Sequence, residues 1–297
     1  MGAGALLVSG VLALWGTGAF THTAWANSLA FALAGLLVAR VRPVRAGEAP
    51  ATAGRPDAGY RTVLRDRPFL GLTAANFLTA LGYSALSVLF PLYLSTWLTA
   101  PDSLTGAAFT LNTALCAGIG VLVAGRVRRS GARRTRSAAL GALLFAAAFA
   151  GQIVLGTLRP GQGATLAALL VIVVVYTLGE LVHSPSGGAL SVSAAPEPVR
   201  GRYLATYQLS YSLATALAPS LFTALLAVDG RLPWAVLTAA ALGAALALVR
   251  LERHLPAEAV HAEPPVAVAG ATPVAVAGAT PAAGDADRRP ATATATA

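Results

Sequence analysis

The chain has 297 residues, of which 56% are hydrophobic and 11% charged, with a mean hydropathy of +0.67. A soluble domain carries roughly 25% charged residues, so this composition excludes a water-soluble globule and points to lipid as the solvent. The net charge of +9 rests on 21 arginines without a lysine, and the single cysteine, Cys116, excludes an internal disulfide framework and a cysteine-based zinc cluster.

Eight apolar stretches follow one another, at about residues 4–20, 24–41, 69–95, 105–125, 137–157, 164–189, 203–227 and 233–249. Each is long enough, at ~1.5 Å per residue, to cross or nearly cross ~30 Å of hydrocarbon. The first is not expected to be a signal peptide, because no positive charge precedes it and the first arginine is Arg40. The reading is an all-α integral membrane protein, a polytopic helical bundle with eight predicted transmembrane spans. Residues 1–41 supply two spans, 42–67 a cytoplasmic linker, 68–255 a six-helix unit and 256–297 a disordered Ala/Pro/Thr-rich tail. In that tail an octad repeats without change, Pro265–Thr272 and then Pro273–Thr280.

The loops set the orientation. Residues 40–67 hold seven arginines, 126–136 hold six, and Arg200, Arg202, Arg250 and Arg253 complete that side, whereas the alternate loops hold only Arg159 and Arg231. Seventeen against two places both termini and the linker in the cytoplasm. The same bias accounts for the basic charge without nucleic acid as a partner.

Polar residues inside spans are expensive in lipid and so are informative. They gather in the third span (Asn76, Tyr83, Ser84), the fourth (Asn112, Thr113), the sixth (Tyr176, Glu180, His183) and the seventh (Tyr207, Gln208, Ser210, Tyr211, Ser212). The fifth offers only Gln152 and the eighth only Thr238. The expectation is that the third, fourth, sixth and seventh spans face a cavity or each other, with the fifth and eighth turned to lipid and Gln152 and Thr238 silent. Pro91, Pro185 and Pro219 lie inside spans, where they kink helices.

Tyr176, Glu180 and His183 are spaced i, i+4, i+7 and share one helical face. Glu180 is the only acidic residue in any span. One reading makes it a proton-titrating carboxylate with His183 as its neighbour. The other makes it structural, paired with Arg200 or Arg202 near the cytoplasmic end. Asn76, Tyr83, Asn112, Tyr176, Tyr207, Gln208 and Tyr211 are the substrate-cavity candidates. An intramembrane enzyme is disfavoured: Ser184-Pro185-Ser186-Gly187-Gly188 does not satisfy G-x-S-x-G, and no acid is placed to orient His183. No catalytic residue, metal site or cofactor is expected.

Gly179-Glu180-Leu181-Val182-His183-Ser184-Pro185 and Ala195-Pro196-Glu197-Pro198-Val199-Arg200-Gly201-Arg202-Tyr203 resemble the tenth helix and following loop of major facilitator superfamily transporters, most of all the drug–proton antiporter branch. Asp66-Arg67-Pro68-Phe69 is similar to the start of that family's seventh helix. The cytoplasmic basic loop with Arg126, Arg128, Arg129, Arg133, Arg134 and Arg136 resembles the loop between its eighth and ninth. There the family has an acidic residue, whereas this chain has Arg128 near that place. Gly2-Ala3-Gly4-Ala5 through Gly10 resembles the end of the family's fifth-helix glycine motif. The resemblance implies that the eight spans correspond to the family's fifth to twelfth helices, with the first four absent. It also implies secondary active transport at the plasma membrane, through proton-coupled efflux of small hydrophobic or amphiphilic molecules. The partners so implied are membrane lipid, a small-molecule substrate and protons. The alternative is a truncated, non-transporting remnant or a membrane assembly partner.

Overall fold

The computed structural model describes residues 19–40, 60–98 and 103–261. Among these the chain is helical apart from short turns, with no strand. In chain order the helices are α1 (Ala19–Arg40), α2 (Tyr60–Arg65), α3 (Arg67–Ser84), a π-helical segment (Ala85–Leu89), α4 (Phe90–Thr96), α5 (Ser103–Arg129), α6 (Arg134–Leu158), α7 (Gln162–Ser193), α8 (Arg200–Val228), α9 (Leu232–Leu251) and α10 (Ala257–Val260). Counting α3 through α4 as one, six of them are long and apolar enough to cross a membrane. In α1 the apolar stretch, Ala24–Leu37, is shorter. The expected first span at 4–20 lies almost wholly outside the described residues, as do both octads of the tail.

Boundaries follow from local chemistry. Asp66 accepts the Phe69 N–H at 3.1 Å, and Pro68, which has no N–H to leave unsatisfied, occupies the first turn of α3. Asp66 also accepts from the Tyr203 hydroxyl at 3.1 Å, and the Phe69 and Tyr203 rings meet edge to face at 4.6 Å, so one residue starts α3 and ties it to α8. Gly131, at φ +63°, turns the chain between α5 and α6. Arg159 ends α6 in the left-handed region (φ 42°), with its guanidinium over the Trp97 ring at 5.3 Å.

Pro91 acts on the turn before it. Its missing N–H and its ring disturb the preceding helical turn, and the five residues Ala85–Leu89 are wound as a π-helix. Pro185 and Pro219 lie inside α7 and α8 without interrupting either helix.

Helical order reaches into two segments expected to be linker and tail. Of the linker expected over 42–67, Tyr60–Arg65 is helical and Val63 is buried against α3 and α8. Of the tail expected from 256, Ala257–Val260 forms α10, and Ala259 and Val260 are buried with the N-terminal end of α6 and the C-terminal end of α7. In both places a few apolar side chains close the end of the helix bundle.

The six long helices pack in a regular pattern. α6 and α9 lie against each other; α6 also packs on α7, and α9 on α3. α5 then packs on α7, and α8 on α3. Exchanging α3 with α7, α5 with α8 and α6 with α9 leaves the α6–α9 contact in place and maps each of the other contacts onto another. The unit is therefore a three-helix motif repeated once, and an odd number of spans gives the two copies opposite topology.

The position of α6 corrects the expectation that the fifth span turns to lipid. Its outer side does carry exposed Leu140, Leu143, Val154 and Leu158, but over half of the helix is buried. The reason is side-chain size: Ala138, Ala139, Gly141, Ala142, Ala146 and Ala148 are all buried, and small residues let helix backbones approach closely where lipid supplies no hydrophobic driving force. Gln152 stands on that packed face, 2% exposed, and not in lipid.

Candidate functional site

The long helix α7 brings its polar face to three different neighbours. Tyr176 is buried and its hydroxyl donates to the Gly82 and Tyr83 carbonyls of α3, at 3.3 and 3.2 Å. These carbonyls stand just before the π turn. Glu180 turns to α5, where the Asn112 amide donates to its carboxylate at 3.1 Å and to the Thr177 hydroxyl at 3.0 Å. His183 turns to α6, with Nδ1 donating to the Ala138 carbonyl at 2.9 Å, which fixes the proton on that nitrogen. The spacing that groups these residues on one face is real, but the three side chains diverge.

The structural reading of Glu180 expected Arg200 or Arg202 as its partner. Arg200 pairs with Glu197 at 3.8 Å, three residues earlier. Among the described residues no arginine forms an ion pair with Glu180. The anchoring role assigned to Arg200 or Arg202 is therefore replaced by a neutral amide from another helix.

His183 is held by packing. A Cβ at Gly141 would lie 2.6 Å from both the His183 Cβ and backbone N, and 2.8 Å from the Gly179 carbonyl. The crossing of α6 and α7 thus depends on Gly141 and Gly179 and sits directly beside Glu180.

The remaining candidates divide. Asn76 donates to the Tyr207 carbonyl at 3.1 Å and to the Ser210 hydroxyl at 2.9 Å, so its amide fastens α3 to α8. Tyr83 is flanked by the rings of Phe145 at 5.2 Å, His183 at 6.0 Å and Tyr211 at 6.3 Å. Tyr207 is half-buried, its hydroxyl near Gly187, whereas Gln208 is exposed. The assembled site is a carboxylate held by Asn112, whose amide also donates to the Thr177 hydroxyl on the same face of α7. Thr177 is the member that polarity alone does not single out, although its place three residues before Glu180 puts it on the same helical face.

The basic loop between α5 and α6 finds its acid elsewhere in the chain. Glu252, just past α9, accepts from Arg133, from the Thr135 hydroxyl at 2.9 Å, and from Arg136 Nε and Nη2 at 3.1 and 3.2 Å. Partial burial would push its carboxyl upward, but these donors outweigh that and hold it at about 2. Arg134 donates to the Ser193 hydroxyl at 2.9 Å and to the Glu258 and Ala259 carbonyls. Arg126, Arg128 and Arg129 are exposed at the end of α5. The sequence signal for Glu252 is its place as a lone acid between Arg250 and Arg253.

Six membrane-length helices in a repeated three-helix motif, with a carboxylate inside, define a multi-pass helical membrane protein. Residues 72–293 match the family model of the Major Facilitator Superfamily. The chain belongs to that superfamily, and it is a secondary transporter in the general sense the family defines. No curated protein matches it.

Proposed function

We propose that this transporter is proton-coupled, exports small hydrophobic or amphiphilic molecules across the plasma membrane, and uses Glu180 as its titrating group. The observation that carries this reading is the Asn112–Glu180 hydrogen bond at 3.1 Å, formed where no arginine among the described residues pairs with the carboxylate. A carboxylate held by a neutral amide exchanges a proton without breaking an ion pair, and intramembrane acids are common elements of proton relays. The neighbouring rings of Tyr83 and Tyr211, 6.3 Å apart, supply an aromatic surface with hydroxyl tips, which suits amphiphilic solutes better than sugars or ions. His183, engaged with α6, is assigned to packing. The arginine asymmetry supports eight spans with both termini in the cytoplasm.

The test is transport in proteoliposomes of the full chain, using a lipophilic fluorescent dye as probe. An imposed pH gradient drives dye accumulation against its concentration gradient, and a protonophore abolishes it. Accumulation that is indifferent to the protonophore overturns proton coupling.

A further inference from the structure

The two arginines of the arginine-poor loops, Arg159 and Arg231, are distant in sequence but meet at one corner of the bundle, where α4 and α6 end and α9 begins. Trp97, just past α4, joins them. The Arg159 guanidinium lies over its ring at 5.3 Å, and a methyl carbon at Gly230 would collide with the indole, so the turn between α8 and α9 rests against it. A methyl carbon at Gly156, three residues before Arg159, would lie 3.5 Å from the Arg231 Cγ. This corner is at the end of the bundle opposite the basic loop between α5 and α6.

The charges here do not cancel. Asp229 holds Arg231 through two parallel bonds, Nε to Oδ1 at 3.1 Å and Nη2 to Oδ2 at 3.0 Å. Arg159 is exposed, and among the described residues no acid pairs with it. Two guanidiniums against one carboxylate leave a single positive charge in excess. Tryptophan rings at span ends sit at the level of lipid headgroups, and the planar fork of arginine matches a phosphate better than an ammonium does. Beside this charge the outer side of α6 is apolar: Leu158 and Val154, one turn apart, are 71% and 54% exposed, and Leu143 continues the stripe. A free anion leaves that stripe unused, whereas a molecule with one negative charge on a long apolar chain matches both features.

We propose that this corner binds a phospholipid, with its phosphodiester on the Arg159 guanidinium, Arg231 adding to the field, and an acyl chain along Leu158, Val154 and Leu143. The single charge of a phosphodiester balances the excess at the corner. The site does not depend on the proton-coupling reading, since Glu180 and Asn112 take no part in it.

The experiment is native mass spectrometry of the full chain in neutral detergent, titrated with a phosphatidylglycerol, with a diacylglycerol carrying the same chains, and with inorganic phosphate as competitor. Wild type should bind a first phosphatidylglycerol saturably, bind the diacylglycerol about tenfold more weakly for want of a charged hydrogen-bonding group, and keep its lipid in inorganic phosphate. Arg159→Asn removes the guanidinium and keeps a residue that tolerates the left-handed conformation at this position (φ 42°), so it should fold and bind the first lipid about tenfold more weakly. Arg128→Gln, in the basic loop, should leave that affinity unchanged. Asp229→Asn raises the excess from one positive charge to two and should tighten binding several-fold, which a misfolded protein would not do. Equal binding of diacylglycerol, displacement by inorganic phosphate, loss of the first lipid in Arg128→Gln with Arg159→Asn unaffected, or no tightening in Asp229→Asn would overturn the proposal.

Discussion

Gly141→Ala tests the α6–α7 crossing on which the position of Glu180 depends. The added methyl carbon would sit 2.6 Å from the His183 backbone N and Cβ and 2.8 Å from the Gly179 carbonyl. Contacts that short do not occur between real atoms, and two of the three partners are backbone, which no rotamer change moves. The helices must separate locally, and overpacking of this kind costs about 1–3 kcal/mol. At roughly 2–4 °C per kcal/mol for a unit of this size, the melting temperature should fall by about 2–12 °C. Gly118→Ala on α5 is the control, since a methyl there meets nothing within 4 Å; it should be neutral or slightly stabilising, because Ala is the better helix former. Thermal unfolding of both variants in detergent decides. A Gly141→Ala protein that melts with Gly118→Ala refutes the close crossing of α6 and α7.

Other consequences follow from the same contacts. Asn76→Ala removes two bonds between α3 and α8 and should cost about 0.6–2 kcal/mol for each, as measured by thermal unfolding. Glu252 has an ordinary value of 4.5 that falls to about 2 in the folded chain. Its contribution is therefore complete above about pH 5 and is lost as pH falls toward 2. The stability difference between wild type and Glu252→Gln should be constant near neutrality and shrink through that window; a difference that grows on acidification contradicts the assignment. For topology, Cys116 replaced by Ala provides a background in which Arg231→Cys should react with an impermeant thiol reagent from outside and Arg129→Cys from the cytoplasm, and the reverse pattern inverts the orientation.

The long helices are legible in the sequence because lipid demands continuous apolar length, and α3 to α9 begin and end within a few residues of the stretches that hydropathy marks. What hydropathy does not convey is which helix lies inside. Counting polar residues sends the span 137–157 outward, but its alanines and Gly141 are the relevant signal, since small side chains and not polar ones set close approach between helices. Gln152 is misplaced by the same count. Glu180 stands out as the only acid within a span, yet its partner is not legible: Asn112 lies 68 residues earlier and reaches it only through the packing of α5 on α7. Likewise the acid that meets the basic loop stands at Glu252, over a hundred residues away. Local spacing finds residues that share a face, but tertiary contact decides what that face meets.

The most direct test of the account is Glu180→Gln, which keeps size and hydrogen bonding to Asn112 but cannot titrate. In proteoliposomes with an imposed pH gradient, the variant should insert and unfold thermally as wild type does, lose uphill dye export, and retain downhill exchange. Uphill export by Glu180→Gln with the pH dependence of wild type would contradict the assignment of proton coupling to this carboxylate.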